Sequence, residues 1–514
     1  SENSKMNIFY EMASRLGFYK DVKNCLLKGF TPCAVTGVSN IHKAQTAMAL
    51  SRLSPCLVIC DDEASAIRMT GDINEMAGEQ LACVSREYEH KRLEALSLIT
   101  QGKCKIIAAS MEACLQGTIP QDKLKEFSFE IKTGGNLSLE ELTSKLLAGG
   151  YTRTDQVEGQ AQFSVRGSIA DIFPVQESRP VRIELWGDEV DSISYFDPES
   201  QRRTDPIDEI TVFPDTDDLV TKLEALSKSV RGSRTDKIRT NISRDIETAQ
   251  SGITLTNLDK YYTVCYEKLT TVFDYFESGV CLVSEYTNCI EKGKAALAQL
   301  SEDMKLLYED GILFRKLEGF YLDIPQAELK ITQMKSVFLD SFMRSNNGVK
   351  FKKLINTDCR QTAAWGGNII NLEEELKNLC SQGYCTVVLA GSEKTLPIIN
   401  KDLNDAGISA EILTEDSEII KGKVYLRTGC LSGGFDYPDI GCAAITQMKA
   451  MSAKKRKSRH KAGEEIKSLS DIQTGDLVVH AMYGIGRFSG IKNIETNGVT
   501  KDYITIKYAG TDVL

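Results

Sequence analysis

The stretch "TPCAVTGVSNIHKAQTAMALSRLSPCLVICDD", residues 31–62, decides the fold class. "TPCAVTG" is a short apolar run of strand length ending at a glycine. "IHKAQTAMALSRL" has the apolar spacing of a helix, and "PCLVICDD" is a second apolar run of strand length closed by two aspartates. Strand, helix and strand in that order build a parallel sheet with helices on its faces. The pattern extends both ways: "IFYEMASRLG" (8–17) is a helix that stops at Gly17, and "KCKIIAASMEAC" (103–114) supplies a further strand.

At 514 residues the chain is too long for one core, since cores stop growing at roughly 250 to 300 residues. Apolar residues make up 42% and charged residues 26%, so folded domains are expected rather than a disordered or fibrous chain. The formal net charge of -10 excludes indiscriminate nucleic-acid binding by the whole surface, and leaves local patches as the only route to phosphates. One patch stands out: six of the eight residues from Lys454 to Lys461 are Lys or Arg, a run typical of a solvated linker. Fifteen cysteines without a C-x-x-C pair, and only four histidines, signal neither a zinc site nor a disulfide framework. Reduced thiols in a cytoplasmic protein are expected. No apolar run reaches the ~18 to 20 residues that cross a bilayer, and the first twenty residues do not read as a signal peptide.

From residue 151 the period changes to two. "GQAQFSVRGSIADIFP", "PVRIELWGDEVDSISYFD" and "DEITVFP" read as strands of a separate α+β module. Residues 214–350 read as mostly helical, with one apolar strand in "GVCLVSEY", and return to the first sheet. Residues 351–451 form a small α/β domain containing helix, strand and helix over 372–408 and further strands in "GKVYLRTG" and "CAAITQ".

"VTGVSNIHKAQT" (35–46) lies where a phosphate loop would lie, after a strand and opening a helix. Gly37 and Lys43 fall where G-x-x-x-x-G-K-[ST] has its first glycine and its lysine. His42 replaces the second glycine with bulk, and Ala44 removes the hydroxyl that would bind Mg²⁺. The loop therefore reads as a degenerate relic, with Lys43 solvated or paired with a carboxylate. "AGSEKT" (390–395) lacks the spacer and reads as a strand-to-helix turn capped by Ser392. "CLVSEY" offers a single carboxylate, Glu285, where a metal would need an acidic pair.

In the 151–213 module the alternation leaves Arg166, Arg182, Glu184 and Trp186 on strands, near turns made by Gly167 and Gly187. Arginine and exposed aromatics are the types enriched at interface hot spots. The alternative is a half-buried strand whose arginines pair with Glu184 and Asp188. Sequence leaves the two readings level.

"YTRTDQVEGQAQFSVRGSIADIFPVQESRPVRIELWGDEVDSISYFDPESQRR" (151–203) resembles the UvrA-binding domain shared by UvrB, the excision-repair helicase subunit, and the bacterial transcription-repair coupling factors, the Mfd family. R-G-x-x-x-D-I-F-P and R-x-E-x-x-G-D-E carry the likeness. UvrB has an intact phosphate loop and an aromatic-rich hairpin that grips DNA; here the loop is degenerate and residues 60–105 hold no such cluster. "TGDLVVHAMYGIGRFSGIKNIETNGVTKDYITIKYAGTDVL" (474–514) resembles the start of the RNA-polymerase-interacting domain of coupling factors, a small CarD-type β-barrel. Gly484 and Gly486 would allow a tight turn there, and His480 reads as a hydrogen-bonding residue of the barrel rather than a catalyst.

The resemblance implies a multidomain α/β protein. Residues 1–127 and 214–350 are the two parts of a degenerate, UvrB-like nucleotide-binding-fold domain, with 128–213 inserted as the UvrA-binding domain. The small third domain at 351–451, a basic linker at 452–467 and a truncated barrel at 468–514 follow. It implies UvrA contact through Arg166, Arg182, Glu184 and Trp186, although the family often has Phe where this chain has Trp186. It implies contact with the β subunit of RNA polymerase, for which Ile494 is the best candidate, with Ile491 and Tyr503 beside it. No catalytic residue, metal or cofactor is expected in these 514 residues. ATP, Mg²⁺ and most DNA contact belong to the motor domains of the family, whose motifs this sequence does not contain, so it reads as an N-terminal portion and as a monomer. A UvrB-like DNA-damage helicase subunit is the competing reading, and His42 and Ala44 argue against it.

Overall fold

The computed structural model describes residues 7–86, 89–148, 151–174, 177, 179–198, 200–212, 219–231, 234–250, 258–266, 268–342, 348–362, 365–414, 417–447, 477–480, 484–496 and 499–507. The chain divides into two compact units, Ser1–Lys449 and Ala450–Leu514.

The first unit is organised around a seven-stranded parallel sheet. Its strand order is Lys353–Asn356, Cys33–Thr36, Lys335–Asp340, Val280–Ser284, Cys56–Cys60, Ile106–Ser110 and Ala82–Ser85. Cys33–Thr36, Cys56–Cys60, Ile106–Ser110 and Val280–Ser284 are largely apolar because both faces are covered, which is why the sequence shows runs there rather than alternation. The period of two still sorts the side chains. Leu57 and Ile59 enter one core, while Cys56, Val58 and Cys60 enter the other. The first core continues into the inserted module through Phe163 and Ile183. The second takes in the helices Ile8–Arg15 and Asn40–Leu50 and one face of the third domain, including Val387, Phe435 and Tyr437.

The inserted module is entered and left by the paired strands Phe129–Lys132 and Glu209–Val212. Lys103 bridges Glu130 and Glu209 of that pair at 2.9 and 2.6 Å. The module's six-stranded sheet runs Arg203–Ile207, Glu189–Phe196, Val181–Trp186, Ile169–Phe173, Gln162–Arg166 and Thr152–Arg153, antiparallel except at the last pair. A helical lobe follows, in which Leu223, Leu226, Ile238 and Ile242 pack against Leu313 and Leu317. The third domain is a six-stranded sheet centred on Cys385–Leu389, flanked by the helices Ile369–Ser381 and Leu396–Asp405.

Several expectations change. Residues 214–350 contain a second strand, Lys335–Asp340, which sits between Cys33–Thr36 and Val280–Ser284 in the sheet. Lys353–Asn356 pairs with Cys33–Thr36, so the first domain runs past the expected boundary at 350. Ser392 does not cap the following helix; its hydroxyl meets that of Thr395 at 3.2 Å, and Thr395, the residue before Leu396, bonds back to the Ala390 carbonyl at 3.0 Å.

The second unit holds a three-stranded antiparallel sheet, Leu477–His480, Gly484–Thr496 and Val499–Lys507, with the middle strand central. Gly484 and Gly486 are not turn residues. They lie in the middle strand, opposite His480 and Val478. The basic linker lies outside the described residues.

Candidate functional sites

The loop at 37–44 is filled by the chain itself. The amides of Gly37 and Val38, which in a phosphate loop would face an anion, donate to the Asp340 carbonyl at 3.1 and 3.4 Å. The Ser39 amide donates to Nδ1 of His42 at 3.1 Å. With Nδ1 accepting, the His42 proton sits on Nε2, which donates to the Arg360 carbonyl at 3.0 Å. Burial pushes the imidazole pKa down to about 4 against the favourable Arg360 bond, so His42 is neutral. Gly37 has φ +88, and a Cβ there would sit 2.6 Å from the Thr357 carbonyl oxygen. Segment 357–360 therefore lies over the loop, and only glycine fits beneath it.

Lys43 does not face solvent. Its side chain is 0% exposed, and Nζ donates to Glu285 Oε1 at 2.6 Å and to Ser284 Oγ at 3.3 Å. The same Oε1 accepts from the amide and hydroxyl of Ser341 at 2.8 and 2.6 Å. Burial raises the Glu285 pKa, and the bonds from Lys43 and Ser341 outweigh it, holding the carboxyl below its ordinary value. Glu285 adopts a left-handed backbone (φ 55, ψ 63), a conformation uncommon for a residue with a Cβ, so these bonds hold it against its intrinsic preference. Ala44 is buried. Of the sequence-singled residues, Gly37, His42, Lys43 and Glu285 thus form one network, and Thr357, Arg360 and Ser341 are the members that sequence reasoning missed.

On the inserted module, register brings the singled residues to one face. Arg166 is opposite Ile169, which is opposite Glu184, and Trp186 lies two residues beyond, beside the two-residue turn Gly187–Asp188. Gly167 and Gly187, at φ +60 and +63, make the two turns at this end. Trp186 is 84% exposed. Arg166 is exposed and donates to the Asp155 carbonyl at 2.6 Å. Glu184 pairs with Arg203 and accepts from Ser192 Oγ at 3.1 Å. Arg182 is held more tightly. It makes a two-pronged ion pair with Asp171 at 2.7 and 2.8 Å, bonds Gln201 at 3.0 and 3.1 Å, and lies over the Phe196 ring at 4.6 Å. In place of the pairing with Glu184 and Asp188 weighed from sequence, Arg182 takes Asp171 on the neighbouring strand and Arg166 the Asp155 carbonyl, while Glu184 takes Arg203. Sequence distance hides these partners.

In the second unit, Ile494 is opposite Lys501, Ile491 opposite Ile504, and Tyr503 opposite Lys492.

All fifteen cysteines are free thiols. Among the described residues no group of three His, Cys, Asp or Glu side chains is arranged to hold a metal, and no helix is long and apolar enough to cross a membrane.

Residues 129–217 match the family described as the UvrB interaction domain, and 472–514 match the CarD-like/TRCF RID domain. The transcription-repair-coupling factor of Bacillus subtilis is 28% identical over 532 aligned residues, covering 96% of this chain and 45% of its own length. Those of Staphylococcus haemolyticus and Staphylococcus epidermidis are 27% and 28% identical over 86% of this chain and 39% of theirs. The chain spans less than half the length of these relatives. Two domain matches in this order, with relatives of one name aligned along 86 to 96% of the chain, make it similar to the transcription-repair-coupling factors.

Proposed function

We propose that this chain is the partner-binding part of a transcription-repair coupling factor, joining RNA polymerase to nucleotide excision repair. UvrA docks on the turn end of the inserted sheet, with Trp186 as the anchor and Arg166 and the Glu184–Arg203 pair around it. The observation that carries this reading is Trp186. A large amphipathic ring left 84% exposed beside charged groups matches an interface hot spot rather than a folding contact. Arg182 supports the face by fixing its strands. The polymerase β subunit pairs with an edge of the three-stranded sheet, where main-chain hydrogen bonds give affinity and Ile494, with Ile491 and Tyr503 as lesser candidates, selects the partner. The loop at 37–44 does not turn over nucleotide, since its amides, its histidine and its lysine are engaged within the chain. ATP-dependent translocation with Mg²⁺, and the main DNA contact, fall to parts of such a factor with which this chain does not align.

Titration of UvrA against this chain and its Trp186→Ala variant tests the first contact. Equal affinity in a variant that melts like the parent refutes it.

A further inference from the structure

The helical lobe carries a charge pattern that neither partner explains. From residue 219 to 244 there are seven Lys or Arg and two acidic residues, in a chain whose net charge is -10. The helices Leu219–Ser229 and Thr235–Gln250 meet here around a surface cavity of about 540 Å³ lined by Ser227, Lys228, Val230, Arg231, Thr235 and Arg239. Lys228, Arg231 and Arg239 are exposed. Among the described residues none of the three has a carboxylate partner. Arg231 Nη1 donates to the carbonyls of Lys228 and Val230 at 2.7 and 3.0 Å. Arg239 donates through Nε to that of Ser227 at 3.2 Å and through Nη2 to that of Val230 at 3.5 Å. These bonds fix both guanidinium groups at the mouth while leaving further N–H groups on each. They also cover carbonyls that would otherwise repel an anion. Arg234, equally exposed, bonds the Tyr308 carbonyl at 2.9 Å, and Lys237 reaches a carboxylate, Asp310, at 3.2 Å. Asp236, exposed in the first turn of the second helix, is the nearest acidic residue in sequence to Thr235.

We propose that this cavity binds the phosphodiester backbone of a nucleic acid. The cations are arginine-rich, which suits phosphate oxygens, and they are pre-positioned by backbone bonds. An acidic protein segment fits less well. A protein interface needs an apolar or aromatic centre, and Val230, the apolar lining residue, is buried at 3% exposure. Backbone phosphates need only charge and donors, and the contact is sequence-independent.

The test is fluorescence anisotropy of a labelled mixed-sequence DNA duplex with the full chain. Because the cluster at 454–461 is a second basic patch, its six Lys and Arg are first changed to Ala, and the cavity is altered in that background. Lys228→Gln with Arg231→Gln and Arg239→Gln is expected to weaken binding at least tenfold. The slope of log affinity against log salt should become shallower by about 2 to 3, as expected for three lost phosphate contacts. Arg231→Lys with Arg239→Lys keeps both charges but loses the forks that the backbone carbonyls position, and should weaken binding by less than the triple change does. Lys228→Glu removes no hydrogen bond made by its side chain among the described residues, so it reads the same contact if the triple variant fails to fold; its affinity should fall at least threefold. The proposal is overturned if the linker-altered chain does not bind DNA, if affinity and salt slope survive the cavity changes, or if poly-glutamate of equal charge competes as well as DNA.

Discussion

Removing either end of the Lys43–Glu285 pair should have unequal consequences, and the inequality separates a structural lysine from a catalytic one. Glu285→Gln keeps an oxygen that accepts from Nζ but takes the compensating negative charge away from an ammonium group that is 0% exposed, whose other partner is the neutral Ser284 hydroxyl at 3.3 Å. Stranding a buried charge costs about 3 to 5 kcal/mol. Lys43→Met leaves Glu285 16% exposed and still accepting from the Ser341 amide and hydroxyl. That change loses one charge-assisted hydrogen bond, about 1.5 to 3 kcal/mol, and keeps the apolar stem. The double variant, with methionine against a neutral amide, should be more stable than Glu285→Gln alone, giving a coupling of about 1 to 3 kcal/mol. Urea denaturation of the full chain, followed by far-UV circular dichroism at neutral pH, measures all three, and ATP turnover is measured alongside. Glu285→Gln within about 1 kcal/mol of the parent would refute the buried-pair argument. Turnover in the parent that Lys43→Met abolishes would refute the structural role of the lysine.

The remaining expectations follow from the same contacts. His42 is neutral when folded with a pKa of about 4, whereas the unfolded chain protonates at the ordinary 6.5; stability is therefore full above pH 6.5 and falls as pH drops towards 4. The loss reaches about 3 kcal/mol, and His42→Gln should flatten that part of the pH–stability curve. Trp186→Ala should weaken UvrA binding at least about tenfold with an unchanged melting temperature, read by calorimetry, as truncation of an exposed hot-spot aromatic does. Arg182→Ala should instead lower stability by about 2 to 4 kcal/mol, because the Asp171 side chain, 4% exposed, loses its two-pronged partner; a melting temperature equal to the parent's would contradict this. Ile494→Arg should abolish capture of RNA polymerase in a pull-down while the circular dichroism spectrum is retained, and undiminished capture would move the contact elsewhere on the sheet.

What sequence disclosed and what it hid divide along physical lines. The strands Cys33–Thr36, Cys56–Cys60, Ile106–Ser110 and Val280–Ser284 are legible because burial on both faces demands unbroken apolar runs. Lys335–Asp340 has charge at both ends and three apolar residues between, so it looks like the end of the preceding helix; its identity comes from partners at Cys33 and Val280, far away in sequence. The exposed face of the inserted module is legible through alternation, yet Arg182 is tied to Asp171 by strand register, which local pattern does not encode. Gly484 and Gly486 read as a turn because glycine serves turns and strands of closely packed sheets alike. Most elusive is the occupant of the phosphate loop. It consists largely of main-chain carbonyls at Asp340, Thr357 and Arg360, and a carbonyl has no sequence signature.

The loop's occupant also gives its departures from the phosphate-binding pattern a positive role. A glycine in place of His42 would leave the Arg360 carbonyl without its donor and Ser39 without its capping partner. The imidazole also lies against Tyr437, 5.2 Å between ring centroids, and Tyr437 in turn donates to Gln45 on the same helix at 2.5 Å. Phe435 adds to this contact from the strand that pairs with Arg360–Thr362. Through these bonds the helix behind the loop grips the third domain, and Asp72, on the helix Glu63–Ala77, does the same by accepting from the Ser432 amide at 2.7 Å. The position that would admit an anion in a nucleotide-binding fold is here a joint between domains. With glycine at 42, Gly37 would still lie beneath Thr357 and the Gly37 and Val38 amides would still face the Asp340 carbonyl. The substitution would loosen the third domain instead. The lysine is a buried partner of Glu285 while the residues on either side of it serve packing, so the Gly37 and Val38 amides, the imidazole and the ammonium group are all spent on contacts within the chain.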